Sequence, residues 1–157
     1  MSIPKSLRIW LSTRMSGEVL SKNVKLTYRQ QVEIKNMIGL KMTQKDIDDF
    51  PIILRNYVPY HGIIYRGVFL NDKAVIELVK NGIVTTTRYY SFTKNYNIAK
   101  KFGNQIVLKI INPTRNFDIS GHSREEEIIL DLNTTIKLIT EEKLPDGVTQ
   151  LICTNFL

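Results

Sequence analysis

The hydrophobic rhythm of the chain changes once, near residue 60. Before that point apolar side chains recur at helical spacing. Ile3, Leu7, Trp10 and Leu11 fall at i, i+4, i+7 and i+8, with Lys5, Arg8 and Arg14 on the other face. A second helix is predicted over about 27 to 41, and a third starts with Thr43 as its cap and is interrupted where Pro51 removes a backbone donor. From Ile63 onward the pattern becomes one of short strands, predicted at 63 to 68, 83 to 91, 105 to 111, 115 to 119, 126 to 132, 134 to 140 and 147 to 154. Two helices interrupt them. One runs from Lys73 to Asn81, capped by Asp72 and closed by Gly82; the other is capped by Thr93 and closed by Gly103. Helices segregated from a mostly antiparallel set of strands define an α+β domain. The chain reads as one domain over 1–157, mainly helical over 1–60 and β-rich over 61–157.

Composition narrows the classes of function without choosing among them. A chain of 157 residues, 43% hydrophobic and 24% charged, has ordinary globular usage and can bury a core. The single Cys153 excludes an intrachain disulfide framework, and with only His61 and His122 besides, no Cys/His cluster suits a structural zinc, so no metal is expected. No apolar run approaches the roughly 20 residues of a membrane span, and no signal-peptide core opens the chain. The expectation is a cytoplasmic protein, bacterial or in an infected host cell, or one exported without a visible signal, with no membrane partner. It is read as a monomer. A net charge of +7 invites a nucleic-acid partner, yet Lys22, Lys25, Arg29, Lys35, Lys41 and Lys45 are spread out as on a solvated face. An acidic protein partner accounts for that charge equally well. A G-x-G-x-x-G fingerprint is absent, so a dinucleotide would not be held in the Rossmann manner.

Three segments carry candidate chemistry. Glu125-Glu126-Glu127 runs straight into the apolar strand Ile128-Ile129-Leu130. Read with period two, Glu125 and Glu127 share one face, roughly 7 Å apart, while Glu126, Ile128, Leu130 and Leu132 take the other. Two carboxylates so placed raise each other's proton affinity and can act on one substrate. Upstream, Arg66 is set in the strand Ile63 to Val68 between Ile64 and Val68 on its own face, where a guanidinium needs an anion. Between them Tyr89-Tyr90-Ser91-Phe92-Thr93 reads as a strand ending in hydroxyl residues, followed by a helical stretch to Phe102-Gly103.

Arg on one strand, Ser-x-Thr ending the next and Glu-x-Glu opening a third resembles the Arg-Ser-Glu class of mono-ADP-ribosyltransferases, over roughly residues 60 to 157. Ser91 through Phe102, the strand Ile106 to Ile111, the turn Asn112-Pro113, the run Phe117 to Ser120 and the stretch Gly147 to Ile152 are similar to the binary actin-modifying toxins. The size and the Tyr-Arg-Gly strand are similar to small phage transferases. The resemblance implies a two-sheet, mostly antiparallel β-sandwich around an NAD cleft, with N-terminal helices in front. It implies NAD as substrate and transfer of ADP-ribose, with release of nicotinamide, to arginine on a target protein. It also implies roles for single residues. Arg66 would grip NAD phosphate, and Gly67 would let its backbone contact the nicotinamide amide. Ser91 would orient the catalytic glutamate, Thr93 would keep the hydroxyl that closes the motif, and Phe102 would pack on nicotinamide. Glu127 would be the catalytic glutamate, Glu125 would act on the acceptor, and Glu126 would point away. Phe92 departs from the family's middle threonine. Gln105 stands where the toxins carry a second phosphate-binding arginine, with Lys101 or Arg115 as replacements, and the loop Gly121 to Arg124 lacks an aromatic residue for the protein substrate. The alternatives are the same chemistry on a nucleic-acid acceptor, and an inactive relative that binds NAD or a partner.

Overall fold

The computed structural model describes residues 52, 54–86, 89–103, 105–122 and 126–156. The three predicted N-terminal helices, and Glu125, lie outside the described residues. Strand β1 (Ile64–Val68) leads through a turn to helix α1 (Lys73–Asn81) and strand β2 (Ile83–Thr85). Strand β3 (Tyr90–Thr93), helix α2 (Tyr96–Phe102), β4 (Ile106–Ile110), β5 (Asn116–Asp118), a 3-10 turn, β6 (Glu127–Leu130), β7 (Thr135–Lys143) and β8 (Thr149–Phe156) follow.

The strands form one eight-stranded sheet in the order β2-β7-β8-β4-β1-β3-β6-β5, in which only β4 and β8 run parallel. This corrects the expected two-sheet sandwich. Strand β1 bonds to neighbours on both sides, so the ladder is never broken among the described residues. The bond is unequal, however. Strand β1 matches β4 over five residues, Ile64 to Val68 against Ile110 to Ile106, but meets β3 at the single pair Tyr65↔Thr93. Beyond that pair β1 and β3 diverge and leave a gap in the sheet.

Alternation sorts the side chains to two faces. Ile64 and Val68 of β1, Leu108 and Ile110 of β4, Phe92 of β3, and Ile128 and Leu130 of β6 share one core with Val75 and Leu78 of α1. Asp72 caps α1 by accepting from the Ala74 amide, and Gly82 ends it at φ 75, its amide donating to the Leu78 carbonyl. Both ends agree with the sequence reading. On the opposite face Ala99 of α2 packs with Val107 and Val148, beside Tyr65 and Tyr96.

Helix α2 sits against β1 without any side chain between the backbones. A Cβ on Gly67 would lie 2.1 Å from the Ala99 carbonyl oxygen and 2.5 Å from the Gly103 nitrogen, and one on Gly103 would lie 2.4 Å from the Val68 nitrogen. The cap of this helix is Asn95, whose side chain accepts from the Asn97 amide; Thr93, expected there, instead accepts from the Asn95 amide just ahead of the helix.

Strand boundaries also differ, three of them for a visible reason. The stretch 83 to 91 is two strands, because β2 pairs β7 at one edge while β3 pairs β1 and β6 on the far side. Strand β7 continues to Lys143, since backbone pairing with β8 persists through the polar Glu141 and Glu142, past a bulge between Leu138 and Thr140. The third is at Glu126, which takes φ 50 and so stands before the strand instead of in it.

Candidate active site

The gap between β1 and β3 opens into a cavity of about 130 Å³, floored by α2. Its walls are Tyr65 to Phe69 and Asp72 from the β1 side, Ser91 to Thr93 from β3, and Ile98, Ala99 and Phe102 from α2. Five residues singled out by sequence therefore line one space: Arg66, Gly67, Ser91, Thr93 and Phe102. Phe102 is not a core residue. It ends the helix at 47% exposure, with its ring on the cavity wall.

Arg66 ties the two diverging strands together. Its Nη1 donates to the Ser91 carbonyl at 2.8 Å, and the guanidinium carbon stands 5.0 Å above the Tyr90 ring. Ser91 in turn donates from Oγ to Glu127 Oε2 at 2.8 Å. Glu127 is 2% exposed, buried at the start of β6 opposite Thr93, and its carbonyl accepts from the Ile119 amide. A hydroxyl bond to a carboxylate is among the stronger ones and fixes the acid's orientation toward the Ser91 wall.

The flanking loops carry charges that the sequence reading did not assign. Lys94 pairs with Asp118 at 3.0 Å and covers the Tyr60 ring at 4.5 Å. Burial would raise the Asp118 acid, but the Ser120 hydroxyl and amide together with Lys94 outweigh it and hold it below the usual carboxylate range. From α2 itself, the Tyr96 hydroxyl and Lys100 both donate to Asp146 in the β7–β8 turn, at 2.7 and 3.0 Å. These bonds, with that from the Val148 amide, bring Asp146 down to about 2, while burial and the bond to Asp146 push Tyr96 up to about 12. Tyr96 also stacks edge-on against Tyr65, 5.8 Å between centroids, so the helix that floors the cavity is anchored to a wall residue.

Glu126 is exposed and not among the cavity walls, yet it is tied to its neighbours. Its carboxylate accepts from Asn95 Nδ2 at 3.2 Å, and its carbonyl accepts from the Lys94 amide. Because it is left-handed, the strand spacing used to place Glu125 about 7 Å from Glu127 on one face does not apply across it. The Asn95-x-Asn97 cap carries an Asx signal of its own in the sequence, masked by the hydroxyl of Thr93 two positions earlier.

The expected substitutes for a second arginine separate. Arg115 is engaged with Asp131 and the carbonyls of Leu132 and Asn133, at the Leu130 end of β6, opposite Glu127. Lys101 is exposed on α2 and is not among the cavity walls. Gln105 lines an adjoining hollow with Asn71, which shares Val68 and Phe69 with the main cavity. No group of three His, Cys, Asp or Glu able to hold a metal occurs among the described residues, and no described helix is long and apolar enough to cross a membrane.

A guanidinium, a hydroxyl and an aromatic residue line one cavity, and the hydroxyl is bonded to the buried Glu127 carboxylate, which is not itself among the walls; together they suit a ligand with a flat polar ring and an anionic portion. The fold is that of the ADP-ribosyltransferases. Exoenzyme S from Pseudomonas aeruginosa, solved with human 14-3-3 protein beta and carba-NAD, superposes with a TM-score of 0.57 over 95% of this chain and 80% of its own, at 16% identity. The Vis toxin, an ADP-ribosyltransferase from Vibrio splendidus, gives 0.62 over 99% and 75% at 14% identity. An ADP-ribosyltransferase from Clostridium botulinum gives 0.55 over 99% and 88% at 18% identity. No protein-family model matches the chain, and no curated protein matches it by sequence.

Proposed function

We propose that the protein is an NAD-dependent mono-ADP-ribosyltransferase that transfers ADP-ribose to arginine on a target protein and releases nicotinamide. One observation carries the reading: the buried Glu127 carboxylate is held by Ser91, which lines the same cavity as Arg66. Glu127 breaks the nicotinamide bond. Its charge stabilises the positive charge that develops on the ribose, an interaction stronger in the transition state than in bound NAD. Ser91 orients that carboxylate. Arg66, planar and permanently charged, binds the diphosphate better than lysine would. The Gly67 and Thr93 walls and the Phe102 ring hold the nicotinamide, whose flat amide-bearing ring matches a cavity of about 130 Å³.

The acceptor half rests on different support. A protonated arginine is a poor nucleophile, so a second carboxylate must hold and deprotonate it, and Glu125 is the residue the sequence offers. That Vis has been solved with agmatine, a guanidinium compound, supports an acceptor of this chemistry.

The test uses labelled NAD with a cell lysate, following nicotinamide release and labelled product together. Glu127→Gln is expected to abolish both, and full activity in that variant sinks the proposal. Glu125→Gln is expected to lose transfer yet keep NAD hydrolysis; equal loss of both removes the division of labour. Protease-sensitive label supports a protein acceptor, and nuclease-sensitive label refutes it.

A further inference from the structure

We propose that Glu126 and Asn95 form a positioning pair that sets the Glu127 carboxylate against the cavity wall, an inference that rests on the transferase reading above. Three observations carry it. Glu126 is left-handed at φ 50, immediately before the strand that begins with Glu127, so the direction in which Glu127 leaves the loop depends on how that turn is held. Among the described residues the turn is held by groups of the β3–α2 connection: the Lys94 amide donates to the Glu126 carbonyl and Asn95 Nδ2 donates to its carboxylate. Asn95 divides its amide between two tasks, because its Oδ1 caps α2 through the Asn97 amide. Helix α2 carries Ile98, Ala99 and Phe102 on the cavity, so a single side chain registers the ligand-facing helix against the strand that opens with the carboxylate. The middle glutamate thus contributes geometry, not chemistry.

The pair can be broken without uncapping the helix. Asn95→Ser keeps a good capping oxygen but has no amide nitrogen to reach Glu126, and Asn95→Asp also keeps the cap while facing carboxylate with carboxylate. Glu126→Gln preserves an acceptor for Asn95 Nδ2. In the double variant Asn95→Asp with Glu126→Gln, donor and acceptor are exchanged and the link is restored at unchanged net charge.

The kinetics of nicotinamide release distinguish positioning from folding. Asn95→Ser and Asn95→Asp are expected to lower kcat about tenfold or more with KM for NAD unchanged, since displacement of a reacting group by about 1 Å costs up to about 100-fold. Glu126→Gln stays within about twofold of wild type, the exchanged pair recovers most of the loss of Asn95→Asp, and all four stay folded, with the melting temperature lowered by at most about 5 °C. Wild-type kcat in Asn95→Ser, or no recovery in the exchanged pair, overturns the proposal. If the wild-type chain releases no nicotinamide, the transferase reading fails instead. Amide exchange at Lys94 and Glu127 then judges the pair: faster in Asn95→Ser and restored in the exchanged variant if the link holds, unchanged if it does not.

Discussion

Gly67 distinguishes two reasons for a glycine at the cavity. If it only lets backbone approach a ligand, Gly67→Ala leaves the folded chain intact and weakens NAD binding. The structure requires more than that. The new Cβ would stand 2.1 Å from the Ala99 carbonyl oxygen and 2.5 Å from the Gly103 nitrogen, both backbone atoms of the same helix end. Ordinary contact begins at 3.4 Å, so α2 must retreat by more than 1 Å, and because the opposing atoms are backbone no rotamer change relieves the clash. Overpacking of this kind costs about 1–3 kcal/mol, which for a chain of this size lowers the melting temperature by roughly 3–10 °C. The retreat also carries Ile98 and Phe102 away from β1, so KM for NAD should rise in the same variant. Gly82→Ala is the control: its Cβ meets nothing within 4 Å, but its φ of 75 strains any other residue, for about 1 kcal/mol and no change in KM. Thermal unfolding and steady-state NAD hydrolysis decide the matter. A Gly67→Ala protein that melts with wild type refutes the direct helix–strand contact as the glycine's purpose.

Ser91→Ala removes the hydroxyl bond to Glu127, a charge-assisted contact of about 1.5–3 kcal/mol, and should lower kcat about 10- to 100-fold with a wild-type far-UV spectrum; an unchanged kcat removes Ser91 from the mechanism. The Tyr96–Asp146 bond makes stability depend on pH at both extremes. Asp146, about 2 in the fold, contributes stability above its unfolded value near 4 that is lost as pH falls toward 2; Asp146→Asn should flatten that limb. Tyr96, raised to about 12, contributes stability that is complete below about 10 and lost as pH rises from there to 12, so Tyr96→Phe should flatten the alkaline limb in denaturant melts, and a limb of unchanged slope contradicts the assignment.

What the sequence revealed follows from which forces act locally. Helix α1 was legible to the residue because both of its ends are local events, an Asp accepting an amide two residues on and a glycine with positive φ. Arg66, Ser91 and Phe102 were legible from their order along the chain, Arg on one strand, Ser-x-Thr on the next and an aromatic residue closing the helix. All three line the same cavity although alternation sets Arg66 and Ser91 on opposite faces of their strands. The sheet was not legible. Whether β1 closes one sheet or divides two depends on how many residues it matches in β3, and that single Tyr65↔Thr93 pair leaves no local signature. The cap of α2 failed for a subtler reason. Thr93 and Asn95 both carry capping oxygens two positions apart, and Thr93 is held in β3 by pairing with β1 and β6.

The glutamate triplet shows where the strand period stops being a guide to chemistry. Period two places the first and third carboxylates together only if the middle residue is extended, and Glu126 is not. A left-handed non-glycine residue costs about 1–2 kcal/mol, a strain sustained here by the Lys94 amide on its carbonyl and Asn95 on its side chain. Glycine would take that turn without the strain but would leave Asn95 Nδ2 nothing to hold. Glutamate at 126 therefore accepts a backbone penalty in exchange for a fixed Glu127. Stability and turnover should respond to Glu126→Gly in opposite directions: relief of strain favours the fold, while loss of the tie frees the carboxylate that Ser91 orients. A variant that is both more stable and fully active would show that the strain serves no purpose at this site.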